Sequence, residues 1–363
     1  MTEQHILFPE PTHDPRKWGK YVPATMQQLS PLYQQYAQGM AEDAPIRALL
    51  ALVDTDQPLP IPFFSAVNFL LLRDQTHPLA DFYPYLREEP RSAEGVYPFF
   101  RNFCLTHEQE LRALLPTMRL QTNEITRCAN LLPAFHLLFR RGGHVPLVLI
   151  EIGASAGLNL LWDFYGYTYE TETEHAYWVN TSFAPVQLHC LLQGPHVPLF
   201  PTQMPPIAKR VGIDLHPLDL TSEQDVRWLR AYIWPEELHR YALLDAAIAQ
   251  ARPHPPQLLA GDAADLLPTV LEGLPWDQTV CLWHSYALRQ GPVAVRERIQ
   301  QVVTQQSMRR TIYRVSLEME PGEWEAPRLE LFTYHQGRCV SSDWLATCDV
   351  HGSEMCWRSP LGF

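Results

Sequence analysis

Residues 148–161 read VLIEIGASAGLNLL, and no other stretch limits the fold of this chain as tightly. β-branched and aliphatic residues run up to Glu151, the small residues Gly153, Ser155 and Gly157 alternate after it, and an amphipathic run follows. That order predicts a buried strand, a sharp turn and the start of a helix. The turn is expected to leave backbone N–H groups of the helix N-terminus unpaired and facing a ligand. Glu151 stands two residues before the first small position, at the end of the strand.

The chain changes texture just before this segment. Up to residue 143 the periodicity is almost entirely helical. Ser30 reads as an N-cap with Pro31 at the first helical position, opening a helix towards Glu42. Helical stretches follow at 45–53, 63–74 and 94–104, and Thr106 with Gln109 forms a capping-box pattern. A longer helix is predicted from Asn123 to Arg141, bent at Pro133 and ended by Gly142–Gly143.

After Gly143 strands alternate with helices, which predicts a mostly parallel sheet. The strands are 146–152, one ending at Asp214, one ending at Gly261–Asp262, one ending near His284, then 311–318, 328–335 and 338–358, with a turn at Pro321–Gly322. Helices are expected at 157–164, 222–251 with a break near Trp234–Pro235, and 292–307. Residues 1–20, rich in proline and polar groups, are expected to wrap the surface. The resulting organisation is a helical domain or cap over 1–143 and an α/β domain over 144–363, with a long insertion at about 165–208 that carries strand-like pieces.

Composition removes several classes of function. A hydrophobic content of 46% with 19% charged residues suits a folded globular chain. A formal net charge of −12 leaves no excess of cation to neutralise phosphates, so no nucleic-acid partner is expected. The start MTEQHILFPEP has no leader pattern and no run of about 18 apolar residues occurs, so a cytoplasmic protein without a membrane partner is expected. Seven cysteines without a C-x-x-C pair predict neither a disulfide framework nor a zinc finger. Cys339, Cys348, His351 and Cys356 alternate as strand residues do, so no metal site is expected there.

In an open α/β sheet the ligand lies across the carboxyl ends of the strands, so the residues that end them carry the chemistry. Here they are Glu151 to Gly157, Asp214, Asp262 and His284–Ser285–Tyr286. As E-x-G-x-S-x-G the first group resembles the first motif of S-adenosylmethionine (SAM) dependent methyltransferases, in which the acidic residue contacts the cofactor and the small residues let it approach the backbone. As G-x-S-x-G it is also a nucleophile elbow, with Ser155 as the serine of an α/β-hydrolase and Asp214 or Asp262 and His284 following in the required order. The hydrolase reading is weakened by the helical residues that precede the elbow, by the lack of an upstream HGGG-like segment and by Glu151 beside it. A dinucleotide site wants G-x-G-x-x-G and an acid about 20 residues on, where this chain has Glu170, Glu172 and Glu174 in a hairpin-like stretch.

The residues then take roles. Glu151, Gly153, Ser155, Gly157 and Asn159 form a cofactor cradle, Asp214 accepts from ribose hydroxyls, and Asp262 accepts from an adenine amino group. His284 stands as a general base towards a methyl acceptor, with Tyr286 beside it. Gln121, Asn123, Glu124 and Arg127 form a polar lid, with 121, 124 and 127 on one helical face. Competing structural roles are a helix cap for Ser155, capping and interdomain hydrogen bonds for the 121–127 group, a helix-surface or salt-bridge place for Asp163, and a hydrogen-bonded structural histidine for His284.

The order of segments after residue 143, with an antiparallel pair in 328–358, resembles the class I SAM-dependent methyltransferase fold, which is Rossmann-like. More closely, QTNEITRCANLLP (121–133), LIEIGASAGLNLLWDFYGY (149–167), RVGIDLHPLDL (210–220), IWPEELHR (233–240) and LATCDVHG (345–352) resemble an uncharacterised bacterial family, the DUF family numbered twenty-three thirty-two. The resemblance implies a methyltransferase-like fold that takes SAM as cofactor and a small molecule as acceptor. Alternatives are a non-catalytic nucleoside-binding protein on the same fold and, further off, the serine hydrolase.

Overall fold

Ser30 opens the first helix as its spacing predicts: its hydroxyl accepts from the Tyr33 N–H at 3.2 Å, and Pro31 leads the helix Pro31–Met40. The computed structural model describes residues 30–54, 60–119, 121–182, 184–288, 291–319 and 326–358; the expected wrap of residues 1–20 and the turn at Pro321–Gly322 lie outside them. Helices Ala44–Leu50, Ile61–Leu71, Tyr97–Thr106 and Glu108–Leu114 follow. The capping box at Thr106 does not form. Thr106 is the last residue of one helix and His107 alone separates it from the next, so the chain never leaves helical geometry long enough for the hydroxyl to cap.

The chain divides into two compact units, residues 1–122 with 221–244, and residues 123–220 with 245–363. Within the first, Tyr36, Phe63, Phe64 and Phe100 centre the core, and Ala231 and Tyr232 from the 221–244 excursion join it. Asn68 ties that excursion down. It is wholly buried, and its amide donates to the carbonyls of Ala231 (3.0 Å) and Ile233 (3.3 Å) while its oxygen accepts from the Tyr85 hydroxyl.

The second unit is built on a sheet whose strands are β1 (Leu147–Ile152), β2 (Gly166–Thr171), β3 (Ala176–Val179), β4 (Gln187–Leu192), β5 (Ile207–Asp214), β6 (Gln257–Ala260), β7 (Thr279–Ser285), β8 (Ile312–Glu318), β9 (Arg328–His335), β10 (Arg338–Cys348) and β11 (Glu354–Trp357). Their order is β3-β2-β4-β11-β10-β9-β8-β7-β1-β5-β6. From β6 to β8 every neighbour is parallel, while β8, β9, β10 and β11 pair antiparallel in turn. The sheet is mixed, mostly parallel and Rossmann-like: in chain order its parallel half runs third, second, first, fourth, fifth.

Every residue of β1 is buried, as a parallel strand covered on both faces requires. Val148, Ile150 and Ile152 join Val211, Ile213, Val280 and Leu282 under the helices Ala263–Glu272 and Val293–Gln306, through Leu267, Ile299 and Val303. The opposite face lies under the helix Arg127–Arg141, where Phe135 meets Trp283 edge-on at 5.5 Å and Trp162 at 4.8 Å. That helix packs on the sheet, so the boundary falls at 122/123 and not at 143. It begins at Arg127, four residues later than expected, and Gly142 ends it.

Two other expectations change. Residues 158–164 form a 3-10 helix, kinked at Leu161, because the Tyr165 and Tyr167 hydroxyls take up the carbonyls of Leu158 and Trp162 at 2.6 Å each. The 165–208 stretch is not an appendage: β2, β3 and β4 extend the sheet beyond β11, with Tyr167 and Tyr169 fully buried and Glu170, Glu172 and Glu174 exposed around the hairpin turn. Cys339 and Cys348 lie on β10 and Cys356 on β11, as strand residues. Among the described residues no helix is long and apolar enough to cross a membrane.

Replacing Asn68 by Ala removes the side-chain donor of the buried Ala231 carbonyl and the acceptor of the Tyr85 hydroxyl, while the Ile233 carbonyl keeps the Tyr241 hydroxyl at 2.9 Å. The expected loss is about 2 kcal/mol of stability, read as a lower urea midpoint at unchanged slope; a midpoint equal to that of the parent protein would show that Asn68 does not anchor the 221–244 segment.

Candidate functional site at the carboxyl edge of the parallel strands

β1 and β7 are neighbours although first and fourth in chain order within the parallel half, so successive connections leave them in opposite directions, the topology that in open α/β sheets sets a ligand crevice at the carboxyl ends. The β1 loop enters it in left-handed backbone at three positions: Gly153 (φ +76°), Ser155 (φ +52°) and Gly157 (φ +74°). A side chain at Gly153 would put its Cβ 2.3 Å from that of Ala287 in the β7 loop, and one at Gly157 would meet Pro256 at 2.6 Å. The two glycines are therefore required by close packing as well as by conformation, whereas Ser155 bears a strain of about 1 kcal/mol.

Four N–H groups of the expected row are already bonded within the protein. Gly153 N–H donates to the Ile213 carbonyl (2.8 Å), Ser155 N–H to Asp214 Oδ2 (2.8 Å), Gly157 N–H to the Ala154 carbonyl (2.7 Å) and Leu158 N–H to Asn123 Oδ1 (3.1 Å). Asn123 thus does the capping considered for Ser155, whose own hydroxyl is buried without a protein partner. With these four donors bonded inside the protein, the turn has fewer N–H groups to offer an anion than its sequence suggests.

Acid groups dominate what remains. Glu151 is buried beside Gly212 and Trp283, and one of its carboxylate oxygens has no protein partner. Burial pushes its pKa well above the ordinary range; the charge of Asp214 adds to this and Arg127 opposes it. Asp214, at the end of β5, spends one oxygen on Ser155 N–H and the other on His216 N–H (2.9 Å). Asp262 ends the β6 segment but caps the next helix through Ala264 N–H (2.8 Å) and pairs with Arg298 (3.3 Å). Asn159 is buried against Cys128, whose thiol lies 3.5 Å from its side-chain oxygen. Asp163 forms the expected salt bridge, with Arg210.

At the end of β7 the structure departs from the sequence reading. His284 Nδ1 donates to Glu318 Oε1 at 2.8 Å and its Nε2 accepts from Arg314 Nε at 3.2 Å, so neither nitrogen is free to take a proton as a general base. Burial lowers its pKa against the pull of Glu318. Burial works to raise that of Glu318, but the bonds from His284, Leu288 and Ala287 outweigh it and hold the carboxyl below its usual range. Both shifts describe a neutral imidazole donating to an ionised carboxylate. The Ser155–Asp214–His284 triad is not assembled, because Asp214 accepts from the Ser155 backbone and His284 turns to Glu318. Ser285 Oγ and the Tyr286 hydroxyl are buried without protein partners, and the Arg127 guanidinium lies 4.1 Å from the centre of the Tyr286 ring.

Glu318 was not singled out in the sequence, although its signal was the one applied to Asp214: an acid closing a predicted strand, here 311–318. The 121–127 stretch needs correction too. Gln121 falls in the first unit, and residues 123–126 precede the helix, so no shared helical face exists. Instead Glu124 accepts from the Thr126 hydroxyl at 2.6 Å, and Arg127 Nε donates to the Val350 carbonyl at 3.1 Å.

Compared with known protein families, residues 21–357 match the family described as "Uncharacterized protein conserved in bacteria (DUF2332)". The chain belongs to that family. No curated protein and no solved structure matches it. The family description prints no reaction, so the chemistry of the crevice must be argued from its own groups.

The Glu151 carboxyl yields a measurable consequence. A group whose pKa is raised by folding contributes stability that is present below its unfolded value, about 4.3, and lost as the pH climbs towards the folded value. Glu151→Gln keeps the shape and removes the titration. It is expected to melt about 3 °C above the parent at about pH 8, with the gap closing near about pH 4. Equal melting temperatures throughout a pH series by scanning fluorimetry would show that the carboxyl is not desolvated.

Proposed function

We propose that the crevice binds S-adenosylmethionine and that the protein transfers its methyl group to a small acceptor. The observation that carries this reading is the buried Glu151 carboxyl at the junction of β1 and β7, with an oxygen lacking a protein partner, beside a turn in which the N–H groups of Gly153, Ser155, Gly157 and Leu158 are already bonded. Such a site favours positive charge and offers little to a phosphate, which separates SAM, a sulfonium that also carries an ammonium, from a dinucleotide with its pyrophosphate. The third-second-first-fourth-fifth strand order supports a methyltransferase-like fold in the same sense.

In this reading Glu151 pairs with the cationic end of the cofactor and Asp214 accepts from ribose hydroxyls. Gly153, Ser155 and Gly157 form the shelf on which it rests. Asp262 serves first as a helix cap and contributes to the adenine side only through the capacity left on its carboxylate. When bound, the cofactor supplies an electrophilic methyl group on sulfur. The protein's part is to orient the acceptor in line with that bond and to exclude water, which is where proximity contributes most. An acceptor that is nucleophilic without deprotonation suits a crevice in which both nitrogens of His284 are committed. The same commitment favours a second reading, nucleoside binding without turnover, since fold does not set function.

Calorimetry with SAM and with its demethylated product tests the first reading: both are expected to bind in the micromolar range, and silence from both at high micromolar concentration would overturn it. Because the Glu151 pKa is raised in the free protein, pairing with a cation releases a proton. SAM affinity should therefore rise with pH, and the measured heat should change with the ionisation enthalpy of the buffer. Binding without methyl transfer to any small-molecule pool would favour the non-catalytic reading.

A further inference from the structure

Tyr286 holds left-handed backbone, φ +54°, a conformation that a bulky aromatic residue takes only when its surroundings impose it. Its own N–H donates to the Leu317 carbonyl at 3.1 Å. The next two N–H groups, of Ala287 and Leu288, both donate to Glu318 Oε1, at 3.0 and 3.1 Å, and this same oxygen accepts from His284 Nδ1 at 2.8 Å. Three donors on one carboxylate oxygen form a strong charge-assisted clamp. The clamp is braced from behind. Arg314 donates to His284 Nε2 and, at 2.7 Å, to Gln300 Oε1, which also accepts from the Tyr334 hydroxyl at 3.1 Å.

What the clamp holds in place makes little sense as scaffolding. A strained backbone costs stability, and the Tyr286 hydroxyl is buried with no protein partner, as is that of Ser285 next to it. A phenylalanine would fill the same space beside Arg127 without leaving a buried hydroxyl unmatched. Strain together with an unused polar atom, at the switch point of the sheet, is the pattern of a group held ready for a ligand.

We infer that Glu318 is a positioning residue: acting through the 286–288 turn, it sets the Tyr286 hydroxyl to hydrogen-bond the ligand of the β1–β7 crevice. The inference rests on the SAM reading only for the choice of probe ligand. Its structural half, that Glu318 holds the turn, needs no ligand at all.

The experiment has two arms. In the ligand-free protein, amide hydrogen exchange is measured at Ala287 and Leu288 and, as a control, at Cys281 and Leu282 inside β7. Glu318→Gln removes the charge that draws the three donors together, and is expected to speed exchange at the first pair about tenfold while leaving the second pair unchanged. Unchanged exchange at 287 and 288 overturns the clamp. Should that variant not fold, Glu318→Asp keeps the charge but draws the oxygen back by one methylene, and the same acceleration is expected.

The second arm titrates SAM into the parent, Tyr286→Phe, Glu318→Gln and the double variant. Each single change is expected to weaken binding about tenfold and the double no more than Tyr286→Phe alone, because both act through one hydroxyl. Losses that multiply, or a Tyr286→Phe variant that binds as the parent does, overturn the positioning role. If the parent itself fails to bind SAM, the cofactor reading falls, and exchange at Ala287 and Leu288 still decides the clamp.

Discussion

The hydrogen bond from the Ser155 N–H to Asp214 joins the loop after β1 to the end of β5, and the crevice takes its shape from it. It draws the loop into left-handed backbone at Ser155 and presses Gly153 against Ala287, so the loops after β1 and β7 meet with no room for a side chain between them. Parallel strands placed first and fourth in chain order are what create this meeting, since their connections part in opposite directions. Asp214 is therefore structural before it is anything else: both its oxygens hold backbone, at Ser155 and at His216.

The electrostatics of the crevice follow from what the loop has already spent. A turn with free N–H groups attracts phosphate; this one has passed four of them to Ile213, Asp214, Ala154 and Asn123, and the carboxyl buried beside it is that of Glu151. Glu151 is held there at a cost in desolvation that no hydrogen bond to one of its oxygens offsets. Natural proteins keep such a group where binding needs it, trading stability for function. At the end of β8 the balance differs: Glu318 also has one buried oxygen without a protein partner, but three donors on the other hold the carboxyl below its usual range and order the backbone of 287 and 288.

These two carboxyls also show why part of the site was legible in the chain and part was not. Glu151 stood out because it sits inside a local string in which strand, turn and helix start follow one another within fourteen residues. Asp214 and Asp262 were reachable by the rule that acids closing parallel strands face the ligand, and the same rule applied to the fifth parallel strand points to Glu318. For His284 the sequence left a general base and a hydrogen-bonded structural histidine both open, because its partners, Arg314 and Glu318, lie about thirty residues away on a neighbouring strand. Register across a sheet is not written in either strand alone.

The sequence by itself determined the kinds of elements and nearly all their order: a helical first part, a run of buried strands alternating with helices, and an antiparallel close. Hydrophobic periodicity and turn residues are local properties, and local properties survive in a linear string. Tertiary structure decided what those elements do to one another. It moved the 123–143 segment onto the sheet, returned residues 221–244 to the helical unit, and made β2, β3 and β4 the far edge of the sheet. It also decided which acid is desolvated, which is clamped by donors, and which imidazole is fully bonded, because each of these depends on neighbours brought together from distant parts of the chain.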